Sequence, residues 1–360
     1  MNNLIRVAVL PGDHIGPEIT AAAVAVLQAA DQRFKLGLVL DQHVVGHDSL
    51  RANGVTISED VYQAAAQADA ILLGPCDNGG YPSPEHGGIN VPGKLRHGLD
   101  LYANIRPSRA YPSLPLARTG LDVLMVRENT EGFYPDRNMF EGYAELMPVE
   151  GVAISMRKIT AHASNRIART AFEWARRRRK HVTVVNKKHI LRLTDGLFYD
   201  ECQKVAREFP DVECHSAIVD AFNADIYTTP EKYDVVVTTN MFGDILSNLC
   251  SALAGGLGLG GGINAGTAHA MANASHGSAP DIAGRNSANP VSMVVSAAML
   301  LGWLGRKHGR AELLSAEKAI DAAIEFVLAD PKRRTVDVGG SATTTACTAA
   351  LVGNIGGSAG

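Results

Sequence analysis

Short runs rich in β-branched residues, "IRVAVL", "AILLG", "VLMV", "HVTVV" and "DVVVTT", recur along the chain with helical patterns such as "PEITAAAVAVLQAADQ" and "DGLFYDECQKVAREF" between them. No other feature restricts the fold as much. Parallel strands must be joined by long crossovers, usually helices, so this alternation specifies an α/β fold with a mainly parallel sheet. There is no internal repeat and no low-complexity linker. The stretch "YPDRNMFEGYAELMPVEGVAISMRKI" interrupts the pattern and reads as an excursion, an antiparallel arm; the closing "GNIGGSAG" reads as a frayed end.

The 360 residues, 46% hydrophobic and 20% charged, suffice for one large domain or two interlocked ones. A net charge of -3 gives no electrostatic basis for binding nucleic acid or an anionic membrane. The one basic block, "RRRRK" from Arg176 to Lys180, closes the helical segment "SNRIARTAFEWARRRRK", where cations suit the negative end of the helix dipole. Five scattered cysteines in no metal-binding spacing are expected to be reduced thiols. The start, "MNNLIRVAVLPGD", is a strand entering a turn and lacks the regions of a signal peptide. The apolar stretch "VSMVVSAAMLLGWLG" has about 15 residues, short of the roughly 20 that a membrane span needs. A soluble cytoplasmic protein is expected.

Three glycine-rich places bear on ligand binding. "LPGDHIGPEI" links the first strand to the first helix, either as a plain tight turn or as a ligand loop. The tract from Gly256 to Gly261 satisfies G-x-G-x-x-G, but a helical pattern precedes it and a loop and strand follow it. A dinucleotide fingerprint needs the reverse order, strand then helix, so this is not one. "HGSAPDIAGRNSANP", before a long helix, is costly to order unless something binds it.

Arg96, Arg106 and Arg109 in "LRHGLDLYANIRPSR" and Arg127 in "VLMVRENTEGFY" supply guanidinium forks, which bind carboxylates bidentately. Tyr134 follows as a candidate proton donor. Lys187 closes the strand "HVTVV", and Asp220 closes "CHSAIVD". Asp244 begins the helix of "NMFGDILSNLCSAL", with Asn248 one turn on. Asp244 either caps that helix or joins Asp220 and Asn248 as oxygen donors suited to Mg²⁺ or Mn²⁺.

Taken together, "LPGDHIGPEI", "LRHGLDLYANIRP", "VRENTEGFY", "NMFGDILSN", "HGSAPDIAG" with "ANP", and "GGSATTT" resemble the β-decarboxylating 3-hydroxyacid dehydrogenases, the isocitrate/isopropylmalate dehydrogenase family, in order from Leu10 to Thr345. The resemblance implies that family's two-domain α/β fold, which is not a Rossmann fold. A large cofactor-side domain would comprise 1–100 and 255–360, and a small domain 101–254 would carry substrate, metal and dimer contacts. It implies a homodimer with active sites shared between subunits and a small di- or tricarboxylate substrate. Arg96, Arg106 and Arg127 match the family's carboxylate arginines, Tyr134 its catalytic tyrosine, and Lys187 the catalytic lysine lent by the neighbouring subunit. Asp220 and Asp244 match metal ligands. His276, Gly277, Ala279, Asp281, Ile282 and Asn289 fall in the cofactor loop. An acid at Asp281 suits ribose hydroxyls and repels a 2′-phosphate, which selects NAD over NADP.

The implied reaction is metal-assisted oxidation of the 2-hydroxyl, loss of CO₂ and protonation of the enol carbon by Tyr134. Three positions depart from the family's pattern: Asn248 replaces a third acid, Asn273 a glutamate and His189 an asparagine. Ahead of Arg96, "GGINVPGK" lacks the paired leucines of the isopropylmalate enzymes, and Asn129 stands where those carry leucine. Asn90 is therefore a candidate substrate contact and Lys94 a candidate for an extra anionic group. Isocitrate, homoisocitrate or a malate/tartrate type is favoured over 3-isopropylmalate. The alternative, a non-catalytic subunit of the same fold, should have lost its lysine, tyrosine or arginines, and all are present.

Overall fold

Each of the five apolar runs forms a strand of one ten-stranded sheet. A computed structural model describes residues 4–134, 138–139 and 142–357. Its strands are β1 (Ile5–Leu10), β2 (Leu38–Gln42), β3 (Ala70–Leu73), β4 (Ala103–Arg109), β5 (Asp122–Glu128), β6 (Glu145–Val149), β7 (Val152–Ser155), β8 (His181–Asn186), β9 (Glu213–Ile218), β10 (Val235–Thr238), β11 (Ile263–Ala265) and β12 (Ala270–Asn273). Its helices are α1 (Gly16–Phe34), α2 (His47–Asn53), α3 (Glu59–Gln67), α4 (Val91–Gly98), α5 (Ala161–Ala175), α6 (Thr194–Ala206), α7 (Val219–Thr228), α8 (Asn240–Leu253), α9 (Val291–His308), α10 (Ala311–Leu328) and α11 (Thr344–Gly357).

The strand order is β2-β1-β3-β12-β11-β4-β5-β10-β8-β9. β2, β1, β3 and β12 are mutually parallel, as are β5, β10, β8 and β9. Antiparallel pairings of β12 with β11, β11 with β4, and β4 with β5 join the two blocks, which therefore run in opposite directions. The centre of the sheet is thus filled from the late segment 263–273, inserted between β3 and β4.

Alternation along the strands sends apolar residues to both faces. On one face a single core spans both blocks: Val7 and Val9 of β1, Leu124 and Val126 of β5, and Val182 of β8 pack with α1, α5, α9 and α10. On the other face the apolar residues divide. Leu10, Ile71 and Met271 pack with α3 and α4, while Val123, Met125 and Val236 pack with α7 and α8. Between these two cores the same face carries buried polar side chains instead: Asn104 and Arg106 of β4, Arg127 of β5 and Asn264 of β11.

The apolar late stretch is α9, buried through most of its length and packed on α10 and α1. Among the described residues no helix is long and apolar enough to cross a membrane. The arm exists as the antiparallel pair β6–β7, apart from the main sheet. Residues 135–137, 140 and 141 of that stretch lie outside the described residues. The basic block follows α5 and is tied down by Asp211, Asp122 and Asp234.

Two expectations are corrected here. "GNIGG" is the last turn of α11, closing against α1 through Leu351 and Ile355, rather than a frayed end; residues 358–360 lie outside the described residues. α8 begins at Asn240 with Thr239 as its N-cap, so Asp244 sits one turn inside the helix and caps nothing.

Candidate active site

Arg106 and Arg127 rise from neighbouring antiparallel strands on the polar strip of the sheet, and α8 crosses above them. That close approach requires a glycine: a Cβ on Gly243 would lie 2.6 Å from Arg127 Cγ. Arg127 is 3% exposed; its Nη1 donates to Asp244 Oδ1 at 2.5 Å, and its Nε and Nη2 donate to Asn240 Oδ1 at 2.9 and 2.7 Å. Arg106 Nη1 lies 3.6 Å from the same Asp244 oxygen and donates to Ser247 Oγ at 2.8 Å. Tyr134 Oη accepts from Arg127 Nη2 at 3.0 Å and donates to Asp244 Oδ2 at 3.3 Å. Arg96 reaches in from α4, its Nη2 3.4 Å from Asn273 Oδ1.

Three guanidinium groups and one carboxylate leave this pocket positive. Burial would raise the Asp244 pKa, but Arg127 first, then Arg106 and Arg96, outweigh it and hold the carboxylate below its usual range. Burial, with Arg127 and Arg96 nearby, holds the Arg106 guanidinium down to about 9. Such crowding of like charge favours a polyanionic ligand.

Lys187 and Asp220 form a second group. Lys187 follows β8, Asp220 opens α7 after β9, and the two side chains are ion-paired. The Lys187 N–H donates to Asp195 Oδ2 at 2.8 Å, and buried Asp195 pairs with Arg157 at 2.7 Å. Arg157 also donates to Thr239 Oγ1 at 2.9 Å and lies between the rings of Phe133 and Phe242. β9 and β10 flank β8 on opposite sides, so Asp220 and Asp244 start from strands roughly 10 Å apart. Asn248 lies half-buried on α8, one turn beyond Asp244.

Five of the six expected cofactor residues, His276, Gly277, Ala279, Ile282 and Asn289, line one cavity of about 360 Å³; exposed Asp281 occupies the adjoining 3₁₀ turn. His276 Nδ1 donates to the Gly277 carbonyl at 3.0 Å, and burial lowers its pKa. Asn289 donates to Asp337 Oδ2 at 3.0 Å. Missing from the sequence reading were Asp337, Ile15 and Gly258, which come from separate segments, and Ser287 and Ala288, which lie within the loop it had singled out. "GGSATTT", just after Asp337, was the signal that could have brought it in.

Three candidates find other partners. Arg109, at the far end of β4, pairs with Glu325 of α10. Lys94 pairs with Glu59 at 3.2 Å and lies over the Tyr62 ring, so its charge is directed at α3. Asn90 caps α4 by accepting the Gly93 N–H at 2.9 Å.

Glu131, in the same segment as Arg127, is 3% exposed and accepts from Thr160 N at 2.8 Å and Thr160 Oγ1 at 2.9 Å. Burial chiefly, with Glu128 nearby, pushes its pKa to about 7 from the ordinary 4.5. The folded state therefore keeps a proton that the unfolded chain releases, and stability falls as pH rises from about 4.5 through 7. Glu131→Gln cannot ionise and should lose less stability over that range. Urea midpoints at pH 5 and pH 8 check this, and equal losses in both proteins would refute it.

The family model described as isocitrate/isopropylmalate dehydrogenase matches residues 6–354. The chain belongs to this family. It is 39% identical over 348 residues to the isocitrate/homoisocitrate dehydrogenase of Thermus thermophilus, covering 96% of this chain and 97% of that one. It is 37% identical over 344 residues to the 3-isopropylmalate/3-methylmalate dehydrogenase of Methanocaldococcus jannaschii, covering 94% and 95%. Among solved structures it matches the isocitrate dehydrogenase of Methylococcus capsulatus with a TM-score of 0.86 and 35% identity, covering 98% of this chain and 100% of that one. The protein is thus a β-decarboxylating dehydrogenase acting on a carboxylate substrate.

Proposed function

We propose that the protein oxidises and decarboxylates a 2-hydroxy-3-carboxy acid with NAD and Mg²⁺ or Mn²⁺. The convergence of Arg96, Arg106 and Arg127 around Asp244 carries this reading, because it matches a substrate with two or three carboxylates. An isocitrate, homoisocitrate or malate/tartrate type is favoured over 3-isopropylmalate. Support comes from the polar strip: Asn129 donates to Asn264 Oδ1 at 3.0 Å, and α4 turns its apolar Val91, Pro92 and Leu95 into the core, leaving exposed Asn90 at its start. The names of the relatives include both kinds of acid, so the substrate is decided by assay.

Asp220, Asp244 and Asn248 offer the oxygen donors that Mg²⁺ or Mn²⁺ requires, and a bound cation would polarise the 2-oxygen. Lys187, as its neutral amine, takes the hydroxyl proton, and its pairing with Asp220 keeps the side chain directed to that place. Tyr134, held by Arg127 and Asp244, delivers a proton to the carbon that loses CO₂. His276, Gly277, Ala279, Ile282 and Asn289 seat the adenosine end of NAD, with Asp281 beside the ribose.

The separation of the two groups supports a homodimer in which Lys187 and Asp220 of one copy complete the Asp244 cluster of the other. Exposed Met147 and Val149 of β6, Val152 of β7 and Ile245 of α8 provide apolar surface for it. The domain division, 1–100 with 255–360 and 101–254, is supported by the sheet, where the first set supplies β2, β1, β3, β12 and β11 and the second supplies the rest.

The test is NADH formation with Mn²⁺ across isocitrate, homoisocitrate, malate, tartrate and 3-isopropylmalate, with NADP in parallel. One preferred polar acid supports the reading, whereas preference for 3-isopropylmalate overturns the substrate choice. Silence across the folded, metal-loaded protein favours the non-catalytic alternative. For the nucleotide, Asp281→Lys should move the NAD:NADP preference in kcat/KM toward NADP by at least about tenfold, ~1.4 kcal/mol. An unchanged ratio would remove Asp281 from the ribose site.

A further inference from the structure

A cluster of different chemistry lies at the β1, β2 and β3 end of the sheet. His14 comes from the β1–α1 turn, His47 opens α2, and Asp77 stands in the loop after β3. Their donor atoms all fall within 4.8 Å of one another. His47 Nε2 is 3.0 Å and His14 Nε2 is 4.0 Å from the same oxygen, Asp77 Oδ2. Tetrahedral ligands on bonds of about 2.0–2.1 Å stand roughly 3.4 Å apart, so the two separations from Asp77 Oδ2 need to change by less than an ångström.

The surroundings hold the three ligands in place. His14 Nδ1 lies 3.0 Å from Ser278 Oγ, so a proton donated there leaves Nε2 with its lone pair toward Asp77. His14 keeps a left-handed backbone, φ +54, which a non-glycine residue adopts only where its neighbours impose it. Asp13, 5% exposed, accepts the His47 N–H at 2.7 Å, the Asp77 N–H at 2.9 Å and the Tyr81 hydroxyl. One buried carboxylate therefore fixes two of the three loops that present ligands, from its place beside the third. Gly46 admits it, since a Cβ there would lie 2.2 Å from Asp13 Oδ1.

We infer that His14, His47 and Asp77 form a binding site for a divalent transition-metal ion of the zinc, cobalt and nickel class, clamping the first three strand-end loops beside the Ser278 loop. Imidazole-rich donors suit such ions, unlike the all-oxygen set of Asp220, Asp244 and Asn248, so the two sites select different metals.

The test strips metal from the full-length protein and titrates Co²⁺, following the visible absorption of a four-coordinate centre and the bound stoichiometry. Wild type and Asp244→Asn should each take up one equivalent with that spectrum and gain thermal stability from it. His47→Gln and, separately, Asp77→Asn should weaken uptake at least tenfold, with far-UV circular dichroism confirming that each variant is folded. The inference is overturned by wild type giving no such spectrum, by folded His47→Gln and Asp77→Asn keeping it, or by Asp244→Asn alone abolishing it. Because Asp244→Asn weakens only the all-oxygen site, failure of this inference and failure of the functional reading are separately visible.

Discussion

Lys187→Met and Asp244→Asn should each lower kcat/KM by at least about 100-fold, since a positioned proton-transfer group contributes typically 10²–10⁴-fold and Asp244 both holds the proton donor Tyr134 and supplies a charged metal donor. Assembled together in a mixed population, the two inactive proteins should recover activity. If Lys187 and Asp220 of one copy serve the Asp244 cluster of the other, each mixed dimer holds one complete site and one doubly defective site. Random pairing then returns about a quarter of wild-type turnover. The measurement is the specific activity of differently tagged, co-expressed variants purified for both tags, where the expected value rises to about half. Activity no higher than that of either parent would show that a single chain supplies the whole site.

The second large effect is on stability and is transmitted to the site. Asp195 is fully buried, pairs with Arg157 and accepts the Lys187 N–H. Arg157→Ala leaves that carboxylate in the interior without its cation, which costs about 3–5 kcal/mol. It also removes the packing between Phe133 and Phe242. Unfolding in urea should show the loss, and kcat should fall more than KM rises, because Lys187 is displaced while the carboxylate arginines are untouched. Asp195→Asn in the same background should restore much of the stability, since a neutral amide needs no counterion. Wild-type stability in Arg157→Ala would mean that the pair contributes nothing.

What could be read from the sequence followed from locality. β1, β3, β5, β8 and β10 announced themselves as apolar β-branched runs, and "NMFGDILS" and "HGSAPDIAG" carried most of two functional groups as contiguous stretches. β2, exposed or half-buried along its length, and the three-residue β11 gave little pattern to find. The helix start at Asn240 was missed because Asp244 after a glycine looks like a cap, whereas Gly243 is there to let α8 approach Arg127. Lys94 looked available because nothing nearby in sequence shows that Glu59 faces it. The Asp13, His14, His47 and Asp77 cluster was invisible for the same reason: its members meet only when three strands align, and no spacing along the chain encodes that.

The late insertion of β11 and β12 has a consequence for how the chain is made. The segment from β4 to β10 is continuous and can pair all of its own strands as soon as it emerges, whereas β3 must wait for β12. Roughly 200 residues separate them, which at ~5–20 residues per second means ~10–40 s of synthesis. Throughout that interval the edge of β3, four apolar residues that end fully buried, has no partner strand on its β12 side. Such an edge is a template for pairing with another nascent chain. The order of synthesis thus gives a chaperone reason to cover Ala70–Leu73 until β12 arrives.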